Sequence, residues 1–556
     1  MNKSKKILIN KNKSIKEALY QLTITAEGLL ICVDGSNRFL GVINDGDIRR
    51  AILKGAKLSD KIIKYIKREC TFVTDQISEV EASRLVTSRM MVLPVINSFQ
   101  KVVGYYSFKG KEENFNVLSN EVAVIGMSYV GLTLSAILSE VGFRVNGIDI
   151  NKNVIKNLNK KIVPFYEKDL SKYIEKNVNK KLFFFDKLNK TKSSIFVVAV
   201  GTPVGKNKKP DLINLKKAIN QVGKILLKNN LVILRSTLPV GTTREIIIPI
   251  LEKNSKLKAG KDFSIAFAPE RTAEGIALKE LKENPQIIGG YDEKSSQKTA
   301  NFFNTFTHST VHVESLESAE FCKLIDNSYR DHRFAFVNQF IEFSEKLNLN
   351  LTKIIKSVNH GYSRNDIPTP SPGVGGPCLS KDPYILSNNL ERLKINSSLI
   401  KLSRFTNENV LPYLYNKIKK NLNKIKKDID TAKIFIIGMS FKGSPETSDT
   451  RNSSSIELIK KLKNNKNQIF VYDPHSNFNK NLFKNLKVKN TSLKKGFMNA
   501  DAVIIMTNNK NFNELNNQKY LNSMNKPSIF IDTWHIFDPV ELKQFKGINY
   551  YGLGND

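Results

Sequence analysis

Cysteine is scarce in this chain of 556 residues: Cys32, Cys70, Cys322 and Cys378 are the full set. No two of them stand at CxxC spacing, which argues against a disulfide framework and against structural zinc. The six histidines form no HExxH. His308 and His312 are four residues apart, but THSTVHV is β-branched and reads as a strand, so no metal site is expected there. Long apolar runs are missing as well. IFVVAV (195–200) is too short to span a bilayer and MNKSKKILIN lacks a signal-peptide core, so a cytoplasmic protein without membrane insertion is expected.

Acidic residues are outnumbered, 52 Asp and Glu against 87 Lys and Arg, for a formal charge of +35. The surplus lysines are scattered among asparagine and isoleucine, as in KKNLNKIKKDID, and form no aromatic-interleaved stripe. A solvated basic surface that attracts small anions is expected, not a nucleic-acid partner.

What is present is organised. CVDGSNRFLGVI (32–43) and VINSFQKVVGYY (95–106) both read as strand, polar turn, strand, with Gly41 and Gly104 placed 63 residues apart. Each is preceded by a helical pattern, IKEALYQL and VEASRLVT. KGKEENFNVLSN (109–120) reads as a linker. From Glu121 strands alternate with helices, which predicts a parallel sheet running to about residue 310. Residues 314–347 lack glycine and proline and read as one long helix. Near residue 433 a second doubly wound pattern starts with KIFIIG, followed by QIFVYDPH and ADAVIIMT.

Gly126-Met-Ser-Tyr-Val-Gly131 lies directly after a strand and opens a helix, the place of a dinucleotide fingerprint. Gly126 would form the tight turn and Gly131 would let helix and strand approach; Ser128, Tyr129 and Val130 complete the cofactor-binding turn. Asp149 ends the second strand, where a carboxylate accepts the ribose 2′-OH and repels a 2′-phosphate, favouring NAD. Thr202 and Thr237 end two further strands and are expected to turn their hydroxyls toward the nicotinamide side.

In the long helix Lys323 and Asn327 share a face at i,i+4 and could hold a developing oxyanion. SPGVGGPCLSKDP (371–383) places Cys378 in a turn whose glycines, Gly375 among them, offer backbone N–H groups and room for substrate. Asp382 before Pro383 reads as a helix N-cap. Lys381, Lys323 and that helix start would all favour thiolate, making Cys378 a nucleophile.

In order, GMSYVG, GTPVG, RSTLPVGTT, FAPERTAEG, AEFCKLIDNSYRD, GVGGPCLSKDP and IIGMSFKGSPETSDTRNSS resemble the nucleotide-sugar 6-dehydrogenases, the UDP-glucose/GDP-mannose dehydrogenase family, over residues 119–556. PERTAEG and GVGGPCLSKDP look closer to the branch acting on UDP-N-acetylhexosamines than to UDP-glucose enzymes. The resemblance implies an α/β fold of two Rossmann-like doubly wound domains joined by a long central helix. It also implies a homodimer or higher homo-oligomer, and four-electron oxidation of C6 of a nucleotide sugar with NAD, supplying surface polysaccharide precursors.

By that resemblance Cys378 captures the aldehyde, Lys323 and Asn327 hold the reacting oxygen, and Asp382 works with water and Thr237 in proton transfer. Glu270 and Glu274 lie near the sugar, with Glu270 assisting thioester hydrolysis. Phe441, Lys442 and Arg451 contact the nucleotide sugar, Arg364 matches an arginine lent by a neighbouring subunit, and Glu167 sits on a substrate-covering loop. The resulting division is 1–115, 119–313 (NAD-binding), 314–428 (central, with Cys378) and 429–556 (nucleotide-sugar-binding).

The first segment resembles a tandem CBS pair, an α+β regulatory module. INDGDIRRAIL (43–53) is its better copy, and Asp47 would hold the ribose of an adenine nucleotide. Two other readings stay open. One is a two-electron dehydrogenase of the 6-phosphogluconate or hydroxyacid type, which has no use for Cys378; the other is a nucleotide-sensing protein on an inactive scaffold.

Overall fold

The computed structural model describes residues 5–25, 28–53, 55–68, 70–77, 92–107, 121–188, 193–205, 207–463, 466–515 and 518–555. The linker expected at 109–120 and the helix expected at VEASRLVT lie outside the described residues. The chain falls into two units, residues 1–117 with 283–286 and 300–311, and the remainder.

In the first unit the strand Leu8–Asn10 runs parallel to Leu29–Val33, which pairs antiparallel with Phe39–Asn44. The order recurs in Val73–Thr74, Val92–Ile96 and Val102–Ser107. The repeat is closer than the sequence suggests. Cys32 faces Gly41 and Val95 faces Gly104, each just before a register shift. Asp34 Oδ1 accepts from the amides of Ser36 and Arg38, as Asn97 Oδ1 does from Phe99 and Lys101. Asn37 and Gln100 both take left-handed φ, 66° and 60°. The two turns pair with each other reciprocally, Phe39 N–H donating to Gln100 O and Val102 N–H to Asn37 O.

Asp47, expected at a ribose, is otherwise engaged. Its amide donates to Asn44 Oδ1 at 2.8 Å, its own Oδ2 accepts the Asn44 amide at 3.3 Å, and Arg50 holds its Oδ1. This reciprocal pairing at the start of the helix Asp45–Leu53 is a capping box.

Two larger sheets follow along the chain. The first has eight strands in the order Thr310–Val313, Gln286–Gly290, Ser264–Phe267, Leu231–Leu234, Ile195–Val198, Glu121–Ile125, Arg144–Ile148, Leu182–Phe185. Its central strands, IFVV, LVIL and SIAF, are buried at every position, as strands covered on both faces must be. The sheet is mixed, not purely parallel, because Ala266 faces Gly290 in an antiparallel pair. A Cβ on Gly289 would stand 2.1 Å from Ser315 O, so this strand passes close beneath the start of the long helix.

That helix runs Leu316–Asn338, with Ser315 Oγ capping the Ser318 amide. The single helix expected over 314–347 is therefore interrupted. The Phe340 amide bonds Val337 O, tightening the last turn, before a short helix Ile341–Lys346 begins. The helices Asp382–Arg392 and Ser398–Lys424 pack on the long one. The second sheet, all parallel, orders Lys489–Asn490, Gln468–Tyr472, Lys433–Ile437, Ala502–Ile505, Ser528–Asp532, Ile548–Gly552. Among the described residues no helix is long and apolar enough to cross a membrane.

Candidate functional site

The turn after Glu121–Ile125 is shaped by close backbone approach. Gly126 has φ +99°, and a Cβ on Gly131 would lie 1.7 Å from Gly126 O. The helix Tyr129–Glu140 follows, and the exposed Ser128 at its N-cap donates or accepts no capping bond, leaving the first helical amides open. Asp149 braces the turn through Oδ2, which accepts the Met127 amide at 2.8 Å, and Oδ1, which accepts that of Asn151. Glycine cradle, open helix start and strand-end carboxylate fit a dinucleotide pyrophosphate and ribose.

Two expected cofactor residues point elsewhere. The Tyr129 hydroxyl meets the Gly275 amide at 2.6 Å and its ring packs on Phe165. Thr202 donates its hydroxyl to Thr237 O at 2.6 Å, so it links two strand-end turns instead of facing an open crevice.

The candidate catalytic residues come together from two helices. Lys323 and Asn327, both buried, share one face of Leu316–Asn338 as their spacing predicts. Asp382 is not the N-cap: it is the first residue of Asp382–Arg392, with Lys381 at the cap. Its fully buried carboxylate turns back to accept Asn327 Nδ2 at 2.6 Å and Lys381 Nζ at 2.5 Å. Proline at the second helical position leaves the first turn regular, so the side chain is free for tertiary contacts.

Cys378 O accepts the amides of Lys381 and Asp382, which fixes the thiol's turn against the helix start. The residue is open to solvent on one side, but its sulfur is packed among protein groups. That crowding, with the carboxylates of Asp382 and Glu274, pushes the thiol above its ordinary value, against the pull of Lys323 and Lys381. Burial of the sulfur first, and the Asp382 charge second, thus work against the thiolate expected from the neighbouring lysines.

Glu270 is buried and fully engaged, with Oε2 on Arg235 at 2.5 Å and Oε1 accepting the amides of Arg271 and Thr272. Burial alone would raise its carboxyl, but Arg235, the Thr272 amide and Lys323 hold it below the ordinary carboxylate range. Glu274 behaves oppositely. Burial and Asp449 push it up to about 8, although Thr447 bonds its Oε2 and Arg451 reaches its Oε1.

Loops of the C-terminal sheet close the site. Lys442 Nζ bonds Glu274 O at 2.8 Å. Gly376 has φ +88° and a Cβ there would be 2.5 Å from the Phe441 ring; one on Gly375 would be 2.2 Å from Asn452 O. The glycines of GVGGPC therefore allow the cysteine turn to dock on these loops. Arg451 is held by Asp449. Glu167 reaches in from the segment between Arg144–Ile148 and Leu182–Phe185, accepting the Gly275 amide through Oε2, while its buried Oε1 has no partner and burial pushes the carboxyl up to about 7. Arg364 is exposed over Tyr362 and makes no bond to these residues.

Sequence reasoning missed Arg235 and the buried pair Asp331 and Arg404. A charge ending the apolar strand LVILR was a signal for the first, and continuation of the Lys323, Asn327 spacing by one more turn for Asp331.

The NAD binding domain of the UDP-glucose/GDP-mannose dehydrogenase family matches residues 120–307, its central domain 317–409 and its UDP binding domain 435–539. The UDP-N-acetyl-D-mannosamine dehydrogenase of Methanocaldococcus jannaschii is 32% identical over 448 residues, covering 79% of this chain and 98% of that protein. The enzyme of the same name from Campylobacter jejuni is 33% identical over 410 residues, 72% of this chain and 98% of its own length. The solved UDP-D-ManNAc dehydrogenase of Pyrococcus horikoshii superposes with TM-score 0.69 at 31% identity, over 78% of this chain and 99% of that one.

Proposed function

The chain belongs to the UDP-glucose/GDP-mannose dehydrogenase family and is an NAD-dependent nucleotide-sugar dehydrogenase, and we propose that it oxidises C6 of UDP-N-acetyl-D-mannosamine to the carboxylate. The observation that carries the four-electron reaction is Cys378 within electrostatic reach of Lys323 and of the Asp382 carboxylate that Asn327 bonds, and the choice of sugar rests on the likeness to UDP-N-acetyl-D-mannosamine dehydrogenases. A two-electron dehydrogenase needs a base and a hydride acceptor, and no thiol.

The Gly126–Gly131 turn and Asp149 would hold NAD, which when bound would accept one hydride per molecule, so that two NAD in turn would serve the two oxidations. The chain's own groups handle protons and the carbon skeleton. Asp382, acting through a water, takes the C6 hydroxyl proton, and Lys323 donates to the oxygen as its charge changes. Asn327 spends one amide N–H on Asp382 and keeps a second for that oxygen. The Cys378 sulfur adds to the aldehyde carbon and its proton passes to the oxygen, giving a thiohemiacetal. Loss of a second hydride and that proton leaves a thioester. Water then adds, the C–S bond breaks, and the thiol is regenerated with the carboxylate. Glu270, held ionised by Arg235, is placed to orient that water. Lys442, Arg451, Phe441 and Glu274 form the nucleotide-sugar side, and Glu167 closes over it.

The product is a UDP-activated uronate, a donor for polysaccharide assembly. A homodimer is supported by the exposed apolar residues Phe321, Ile325, Tyr329 and Phe336 on the long helix and Leu399, Leu402 and Phe405 on Ser398–Lys424, with Arg364 reaching a neighbour's site. Four free thiols suit the cytoplasm. The N-terminal repeat acts as a CBS-type regulatory pair that takes an adenine nucleotide at Asp47, once that carboxylate leaves its capping box. Calorimetry with AMP and ATP tests this, and no heat with either rejects it.

The enzymatic reading is tested by counting NADH per sugar and weighing the product with UDP-N-acetyl-D-mannosamine, its gluco and galacto epimers, UDP-glucose and GDP-mannose. Two NADH and a carboxylate are expected with the manno epimer, and about a hundredfold or greater loss in Cys378→Ala. One NADH with released aldehyde rejects the thiol relay, and preference for another sugar corrects the substrate.

A further inference from the structure

Arg404 is among the largest fully buried side chains of the protein, 2% exposed, and no part of the reaction outlined above uses it. It lies on the helix Ser398–Lys424 and its guanidinium branches three ways. Nη1 donates to Asp331 Oδ1 at 2.6 Å and to Val374 O at 3.4 Å; Nη2 donates to Glu408 Oε1 at 3.2 Å and again toward Val374 O. Val374 belongs to the glycine turn, four residues before Cys378.

Two asparagines extend this arrangement. Asn407 Nδ2 donates to both the backbone and side-chain oxygens of Asp331 at 2.9 Å, and its Oδ1 accepts Asn338 Nδ2 at 2.9 Å. Asn338 Oδ1 in turn accepts the Ser371 amide at 3.0 Å. Asp331, Asn338, Ser371, Arg404 and Asn407 are all buried, and the backbone they hold in common is the start of the cysteine turn, Ser371 to Val374.

Stability does not account for such a group. Burying an ion pair costs desolvation that the attraction roughly repays, and an apolar replacement often does as well. Here Asp331 Oδ2 and Arg404 Nε are buried without any hydrogen-bond partner, which adds to that cost. Networks of this kind define position: each bond is directional, and low dielectric makes departures from it expensive.

The position they define is relative to one element. Lys323, Asn327 and Asp331 follow one another at i,i+4 and i,i+8 on the face of Leu316–Asn338. Lys323 and Asn327 address the reacting oxygen. Asn327 holds Asp382, four residues after Cys378, and Asp331 through Arg404 holds Val374, four residues before it. We infer that the buried Arg404–Asp331 pair is a positioning device that references the start of the Cys378 turn to the helix carrying Lys323 and Asn327, as the Asn327–Asp382 bond references its end, so that thiol and oxygen-binding groups stay in register through both oxidations.

The inference rests on the reading of Cys378 as the reacting thiol, and the test separates the two. In the full chain, Asp331→Asn keeps shape and removes the charge; Arg404→Lys keeps charge but cannot reach Asp331, Glu408 and Val374 together. Each is compared with the unaltered protein for thermal midpoint, KM for UDP-N-acetyl-D-mannosamine, kcat, and the pH profile of Cys378 alkylation by iodoacetamide, read on its own peptide by mass spectrometry. The expected result is kcat lower by about ten- to a hundredfold with KM within about twofold. The alkylation midpoint should also move down toward an ordinary thiol as the turn loosens. A folded Asp331→Asn protein with unaltered kcat and alkylation profile overturns the inference. If either variant fails to fold, Asn338→Ala decides by the same readouts. If Cys378→Ala retains full turnover, the thiol-relay reading falls, while Cys378 alkylation in Asp331→Asn still decides whether the pair positions the turn.

Discussion

Asn327 and Asp382 are joined by a 2.6 Å hydrogen bond, Nδ2 to Oδ2, that ties the long helix to the first residue of the helix following Cys378. Both side chains are buried, so the bond is made at low dielectric and sets the carboxylate's direction. Asp382 is thereby held between an amide and the Lys381 ammonium while its charge also bears on the thiol.

Asp382→Asn should separate these two effects. Loss of the proton acceptor lowers kcat by about a hundredfold or more, with KM for the nucleotide sugar within about threefold. The thiol responds in the opposite sense. Asp382 raises Cys378, so removing its charge lets the thiol titrate lower and react faster with iodoacetamide at neutral pH. Slower alkylation in the variant would show that the carboxylate does not bear on the sulfur as described.

Glu167 makes stability depend on pH. Its folded value is pushed up to about 7 by burial, above the ordinary 4.5, so between those values the folded protein binds more protons than the unfolded chain. The contribution is fully present below about pH 4.5 and is lost as pH rises through about 7. The thermal midpoint of Glu167→Gln should therefore fall less between pH 5 and 8 than that of the unaltered protein, by at least about 2 °C. Parallel curves for the two proteins would count against a carboxyl raised by burial.

Gly376→Ala tests the docking of the cysteine turn on the C-terminal loops. The added Cβ meets the Phe441 ring at 2.5 Å, and the backbone there has φ +88°, which costs an alanine roughly 1 kcal/mol or more. Calorimetry should show nucleotide-sugar affinity reduced about tenfold or more with NAD affinity unchanged, since the Gly126 turn is untouched. Equal loss of both ligands would mean a general folding defect.

Much of the architecture was legible in the chain. Period-two and period-3.6 patterning marks the strands and helices from Glu121 onward, because burial on a sheet face or helix stripe imposes that spacing directly on neighbouring residues. The turn glycines were legible for a similar reason: Gly126, Gly375 and Gly376 stand where backbone approaches backbone or ring, and no other residue fits. The interruption after Asn338 was not legible, since nothing in residues 314–347 breaks a helix locally.

The roles of individual polar groups were decided elsewhere. Motif-level rules made Asp382 an N-cap, Thr202 an open hydroxyl and Cys378 a thiolate. The structure pairs Asp382 with Asn327, Thr202 with Thr237 O, and Glu270 with Arg235, and it sets Asp382 beside the thiol. Sequence by itself determined which elements form and which side chains share a face, because those depend on spacing along the chain. Only the tertiary structure decided which charge answers which, because electrostatic and hydrogen-bond energies depend on distances of a few ångströms between residues far apart in sequence.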